Sequence, residues 1–103
     1  RTMWIVAMFD LPTDTKAARK AYAQFRKGLL KDGFCKMQYS VYTRHCASEE
    51  NANVHIARVE QMVPKDGEVR IIQITDRQYE RMRVFWGKRR QRPETPLAQL
   101  ELF

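Results

Sequence analysis

Met3-Trp-Ile-Val-Ala-Met-Phe-Asp-Leu-Pro-Thr-Asp14 is the stretch on which the rest of the chain depends. Met3 to Phe9 form an unbroken apolar run, far too short to span a bilayer and of the right length for a strand buried on both faces. The run stops at Asp10, and Pro12 prevents simple continuation of a central strand because it has no amide hydrogen to give to the ladder. An acid at the tip of a buried strand can hold a cation, or it can cap the turn into the following helix. One carboxylate taken by itself favours the turn.

The bounds around that strand are narrow. A chain of 103 residues makes one domain with a modest core. Hydrophobic residues at 44% and aromatics at 11% place it among globular proteins and exclude a disordered one. Nineteen Lys and Arg against twelve Asp and Glu leave a net charge of +7, which points to a polyanionic partner. No apolar run approaches the roughly 20 residues of a membrane span, and no signal-peptide pattern is visible. Cys35 and Cys46 are too far apart for a redox or zinc motif, so two reduced thiols in a cytoplasmic protein are expected.

Beyond the first strand, Thr13 or Asp14 is positioned to cap a helix reaching about Lys31. Ala18, Tyr22, Phe25 and Leu29 recur at steps of four, three and four and give it one apolar stripe. The rest of the helix carries Lys16, Arg19, Lys20, Arg26, Lys27 and Lys31, with Asp14 opposing them near its start. Such a lopsided face suits phosphate contact. Asp32-Gly33 closes the helix, with glycine fitted to the left-handed position past its end. Phe34–Met37 and Gln38–His45, rich in Tyr, Val and Thr, then read as two strands or one bent strand.

Ser48 begins a second helix, with Glu49 and Glu50 in the first turn and Ala52, Ile56, Val59 and Val63 as its buried stripe. Pro64 ends it. Val69–Thr75 is a further strand, and Thr75 to Gln78 fits a capping box for a short helix over Asp76–Met82. The order strand, helix, strand, strand, helix, strand predicts an α+β, ferredoxin-like βαββαβ sandwich, with two helices on one face of an antiparallel sheet. The other face is left to find cover, which in so small a chain suggests a homodimer.

Past the sandwich, Val84-Phe85-Trp86 reads as an extra short strand. The domain is expected to occupy residues 1–87. Residues 88–103 would then be a basic linker, with Arg89 and Arg90 as nucleic-acid contacts, and an assembly tail. Leu100, Leu102 and Phe103 would be a liability if exposed, and are expected to pack on another subunit.

These residues together resemble a known family. Phe9-Asp10-Leu11-Pro12-Thr13 follows the apolar first strand, and the helix carries Tyr22, Phe25, Arg26, Leu29 and Leu30. Lys31-Asp32-Gly33-Phe34 leads into Gln38-Tyr39-Ser40-Val41-Tyr42, and Val69-Arg70-Ile71 into Thr75. The set is similar to CRISPR-associated protein two, in the form found beside the type II effector, over nearly the whole chain up to Gly87. The resemblance implies a homodimer at the centre of the complex that captures short foreign DNA. There it would bind duplex DNA and bridge subunits of the integrase, CRISPR-associated protein one. It also implies a divalent-metal-dependent endonuclease acting on RNA or DNA, with Asp10 as catalytic residue and ligand to magnesium. Phe9 and Arg19 match family positions of lesser standing.

The chemistry asks more than one chain offers. Magnesium takes one or two carboxylates and keeps several waters, so Asp10 and its symmetry copy would suffice. No second acid or general base stands out. Asp14 is near in sequence, Ser40 and Arg44 lie on a strand that could reach the site, and His45 and His55 read as structural or exposed. Lys16, Arg19, Lys20, Arg26 and Lys27 are the expected nucleic-acid contacts on the helix. An RNA-recognition domain shares the element order, but Ser40-Val41-Tyr42-Thr43-Arg44 lacks the glycine and aromatic signature its third strand needs.

Overall fold

The computed structural model describes residues 1–87; the expected linker with Arg89 and Arg90 and the tail with Leu100, Leu102 and Phe103 lie outside the described residues. The elements are β1 (Met3–Asp10), α1 (Lys16–Lys31), β2 (Cys35–Gln38), β3 (Val41–Cys46), α2 (Glu49–Met62), β4 (Glu68–Thr75) and α3 (Asp76–Glu80). The four strands form one antiparallel sheet in the order β2-β3-β1-β4. This is the expected ferredoxin-like sandwich. β1 lies between two strands that run against it, so its backbone groups find ladder partners on both sides.

Side chains alternate across β1. Met3, Ile5, Ala7 and Phe9 are buried beneath the helices, against Phe25 and Leu29 of α1, Ala52 and Val59 of α2, Phe34 and Tyr42. Trp4, Val6 and Met8 point to the other face and are half-buried. The expectation of a strand buried on both faces is therefore corrected. Both long helices pack on one side, and among the described residues the second side is covered in part by α3 alone. There the Tyr79 ring stacks on Trp4, with centroids 3.8 Å apart, and Trp4 Nε1 donates to Asp76 Oδ1 at 2.6 Å.

Local signals set the element ends. Thr15, not Thr13 or Asp14, caps α1, its side chain accepting from the Ala18 amide at 3.0 Å. The chain stays out of the helix for three residues after Pro12. Ser48 caps α2, and Thr75 and Gln78 complete the capping box of α3, which ends at Glu80 and not at Met82. Tyr39 and Ser40 turn β2 into β3, which resolves the open choice in favour of two strands. Residues 84–86 form no strand. A strand needs a partner edge, none pairs with them among the described residues, and Val84 and Phe85 are 58% and 85% exposed.

The C-terminal end of α1 is tied down by one side chain. Asp32 Oδ2 is 2.8 Å from His55 Nδ1, Oδ1 accepts from Arg58 Nη1 at 2.9 Å, and the Asp32 carbonyl accepts from Arg44 Nε at 2.8 Å. Helix α1 is thereby fastened to α2 and to β3. His55 is buried and structural, as its sequence context suggested. Burial works to raise the Asp32 carboxyl, but the hydrogen bonds and charges of His55 and Arg58 outweigh it and hold the group below its ordinary value. A depressed carboxyl contributes stability that is present above the unfolded-state value and lost as pH falls through the folded one. Asp32→Asn is expected to cost about 1–3 kcal/mol at pH 7. Urea unfolding of both proteins checks this: the gap should close on acidification into the carboxylate range, and a gap unchanged with pH would contradict it.

Candidate functional site

Asp10 is the last residue of β1, where three segments converge. Across the sheet it faces Glu68, the first residue of β4, and Glu68 is engaged by Arg70 Nε at 2.7 Å. On the other side the Phe9 amide donates to the Ser40 carbonyl at 3.0 Å, so the β2–β3 turn closes against the tip of β1. Gly67 packs behind. Its φ of +114° lies in the region that favours glycine, and a Cβ there would sit 3.1 Å from the Asp10 carbonyl oxygen. The tip is held on every side by backbone.

The Asp10 carboxylate itself is exposed and accepts no hydrogen bond among the described residues. The turn-capping reading requires such a bond, and the following helix is capped by Thr15. Asp10 is therefore a free carboxylate on a fixed backbone. By alternation it projects from the same face as Trp4, Val6 and Met8, the face the long helices leave open. The described residues contain no group of three or more His, Cys, Asp or Glu able to hold a metal ion. At the tip of β1, one chain brings one free carboxylate.

The other sequence candidates divide. Ser40 reaches the site: it occupies the turn at a φ of 60°, uncommon for a residue with a side chain, and its Oγ shares a 3.4 Å hydrogen bond with the Tyr22 hydroxyl. Arg44 does not reach it. It pairs with Ile5, well back from the tip, and its guanidinium is spent on the carbonyls of Asp32 and His45. Asp14 lies in the β1–α1 loop and lines a groove of about 460 Å³ with Pro12, Thr15, Ala18 and Lys65. His45 sits edge-on to Trp4 at 5.0 Å, at the opposite end of the strand pair.

Helix α1 sorts its cations by spacing. Lys16, Lys20, Lys27 and Lys31 stand at i, i+4, i+11 and i+15, which returns to one side of a helix with 3.6 residues per turn. All four are exposed, on the side away from Phe25 and Leu29. Arg19 lies on the flank and donates to the Thr13 carbonyl at 3.2 Å, bracing the loop after Asp10. Arg26 is half-buried, and its Nε is enclosed with no hydrogen-bond partner. Its guanidinium lies by Tyr42, whose hydroxyl is pushed up by burial and eased back by that charge. The stripe thus consists of lysines, with the two arginines doing local work beside it.

Sequence reasoning gave no role to the aromatic side of the site. Tyr39 is 70% exposed yet stacks on Tyr22, with centroids 6.3 Å apart, and Tyr22 meets Phe9 at 6.0 Å. Phe9 in turn packs on Phe25 and Tyr42 at 5.0 and 5.6 Å. The signal available was a tyrosine beside the turn serine, with a lysine three residues earlier; the fold was needed to place them beside Asp10.

Comparison with known proteins agrees with this geometry. The model of the family described as CRISPR associated protein Cas2 matches residues 3–82. A protein of Parvibaculum lavamentivorans named CRISPR-associated endoribonuclease Cas2 is 61% identical over 101 residues, covering 98% of this chain and all of the relative. A protein of the same name from Flavobacterium psychrophilum is 48% identical over 103 residues, covering all of this chain and 90% of the relative. A solved structure described as a crystal structure of cas2 superposes with a TM-score of 0.58 at 18% identity, over 92% of this chain and all of that one, and so shares the fold. A family match over most of the chain, relatives this similar over nine-tenths or more of their length and a shared sandwich lead to one statement: the chain belongs to the CRISPR-associated Cas2 family.

Proposed function

We propose that this protein works as a homodimer that joins two Asp10 carboxylates into one magnesium site and cleaves RNA phosphodiester bonds there. The observation that carries the reading is the position of Asp10. It is a free carboxylate on a fixed backbone, at the rim of an apolar sheet face. That face is occupied at its Trp4 end by α3, which leaves Val6, Met8 and Ile72, the last 49% exposed, toward the Asp10 end. A second copy packed there brings the two acids toward a common axis. The names of the relatives, endoribonucleases, agree with the reaction.

One carboxylate does not make a magnesium site. A pair fits an ion that takes one or two carboxylates and retains waters. When bound, the ion supplies Lewis acidity to the scissile phosphate and a more acidic water. The residues of the chain do the rest. Asp10 is kept in place by the Phe9–Ser40 backbone bond and the close approach of Gly67. Arg19 braces the loop that follows. The lysines of α1 draw in the polyanion.

Magnesium should raise the melting temperature of the wild-type dimer, by the equivalent of about 2.7 kcal/mol at a hundredfold excess over its Kd. Asp10→Asn should abolish that response and RNA cleavage together. It should leave the metal-free dimer at least as stable, since two like charges near an axis repel. Thermal melts with magnesium and with chelator decide it, and an equal magnesium response in both proteins removes Asp10 as the ligand.

The lysine stripe favours a second reading, a duplex-DNA-binding subunit that bridges copies of the integrase, CRISPR-associated protein one. Four exposed ammonium groups on one side of a helix follow a phosphate backbone and read no bases. Binding measured at several salt concentrations should show a log–log slope of about −5 for a footprint of about six phosphates. Lys20→Glu should weaken binding to every duplex alike and reduce the slope by about one. A hundredfold preference for one base sequence would contradict backbone reading.

A further inference from the structure

We infer that Glu68 is a second acid of the magnesium site, accepting hydrogen bonds from water in the ion's hydration shell while Asp10 is the direct ligand. The inference rests on the paired-carboxylate reading above and deepens it, because β4 supplies a group that β1 alone does not bring.

Register places the two acids together. Asp10 ends β1, Glu68 begins β4, and they are partners across the ladder. Directly opposed residues share a face, with Cβ atoms about 4.5–5.5 Å apart. The shared face is the open one. Val69 and Ile71 pack toward the helices, so Glu68, Arg70 and Ile72 alternate to the opposite side, with Met8 and Asp10 across from the first two. The register is also pinned. Gly67 immediately precedes Glu68, and a Cβ on it would stand 3.1 Å from the Asp10 carbonyl oxygen, so the two backbones meet where the acids begin.

Like charges set directly across a ladder destabilise it. Arg70 offsets this in part, its Nε donating to Glu68 Oε1 at 2.7 Å. That bond gives the carboxylate a direction, as outer hydrogen bonds do around metal sites, and it leaves Oε2 without a partner among the described residues. The Glu68 and Arg70 side chains are 62% and 73% exposed. An exposed pair of this kind is worth little, so turning Glu68 toward an ion costs little. Asp10, Glu68 and Arg70 sum to one negative charge per chain. Two copies therefore carry two, which one divalent cation cancels. Magnesium suits this division of labour, because it takes one or two carboxylates directly and keeps several waters. The Asp10 pair fills the direct positions, and each Glu68 is left to accept from those waters.

The test titrates Mn²⁺ into the full-length dimer by calorimetry. Glu68→Gln should bind the ion about tenfold to a hundredfold more weakly than wild type, with the same stoichiometry. Its melting temperature in chelator should be no lower than that of wild type, since a repulsion is removed; a marked fall there would place Glu68 in the fold and overturn the assignment. Asp66→Asn removes the same charge two residues away and should leave the affinity unaltered. Equal weakening by Asp66→Asn would reduce Glu68 to a remote charge and overturn the proposal, as would a wild type that binds no ion. Unaltered affinity in Glu68→Gln, with binding lost in Asp10→Asn, would overturn the role of Glu68 and keep the Asp10 pair. Weakening by Glu68→Gln, with binding that survives Asp10→Asn, would uphold Glu68 as an acid of the site while the Asp10 pair fails.

Discussion

The structure depends on one asymmetry, the burial of a four-stranded sheet from a single side. Met3, Ile5, Ala7 and Phe9 meet Phe25, Leu29, Ala52 and Val59, and these contacts supply the hydrophobic free energy of the chain. The price is a second face with apolar side chains at Trp4, Val6, Met8, Ile72 and Ile74 and, among the described residues, just one short helix to cover them. A sheet of alternating period cannot hide both faces behind two helices on one side.

The candidate site inherits its form from the same alternation. Asp10 falls on the open face because it stands at an odd number of residues from Phe9, Ala7 and Ile5. Its neighbours fix the backbone and leave the carboxylate unbonded: Ser40 takes the Phe9 amide, Gly67 lies close behind, and Glu68 turns to Arg70. Several polar groups elsewhere in the fold are, by contrast, committed. Asp32 binds His55 and Arg58, Arg44 binds carbonyls, and Asp76 takes the Trp4 indole.

Much of this was legible in the residues. Apolar runs and their breakers gave the element order, and Ser48, Gly33 and the Thr75–Gln78 pair act where their chemistry placed them. Family resemblance on short motifs pointed to the same fold and to Asp10. Three things were not legible, each for a physical reason. A cap is chosen among adjacent Thr and Asp residues by backbone geometry, so Thr15 could not be told from Thr13 or Asp14. A cation on a helix reads the same whether it is solvated or tucked inward, and Arg26 proved half-buried beside Tyr42. Val84-Phe85-Trp86 has strand composition but pairs with no strand edge among the described residues.

The central claim is that two copies of the open face complete one metal site from two Asp10 carboxylates. Counting bound Mn²⁺ per chain by electron paramagnetic resonance, with the protein well above its dimerisation constant, tests it most directly. The account predicts saturation at one ion per two chains, abolished by Asp10→Asn. Saturation at one ion per chain, or binding that survives Asp10→Asn, would contradict it.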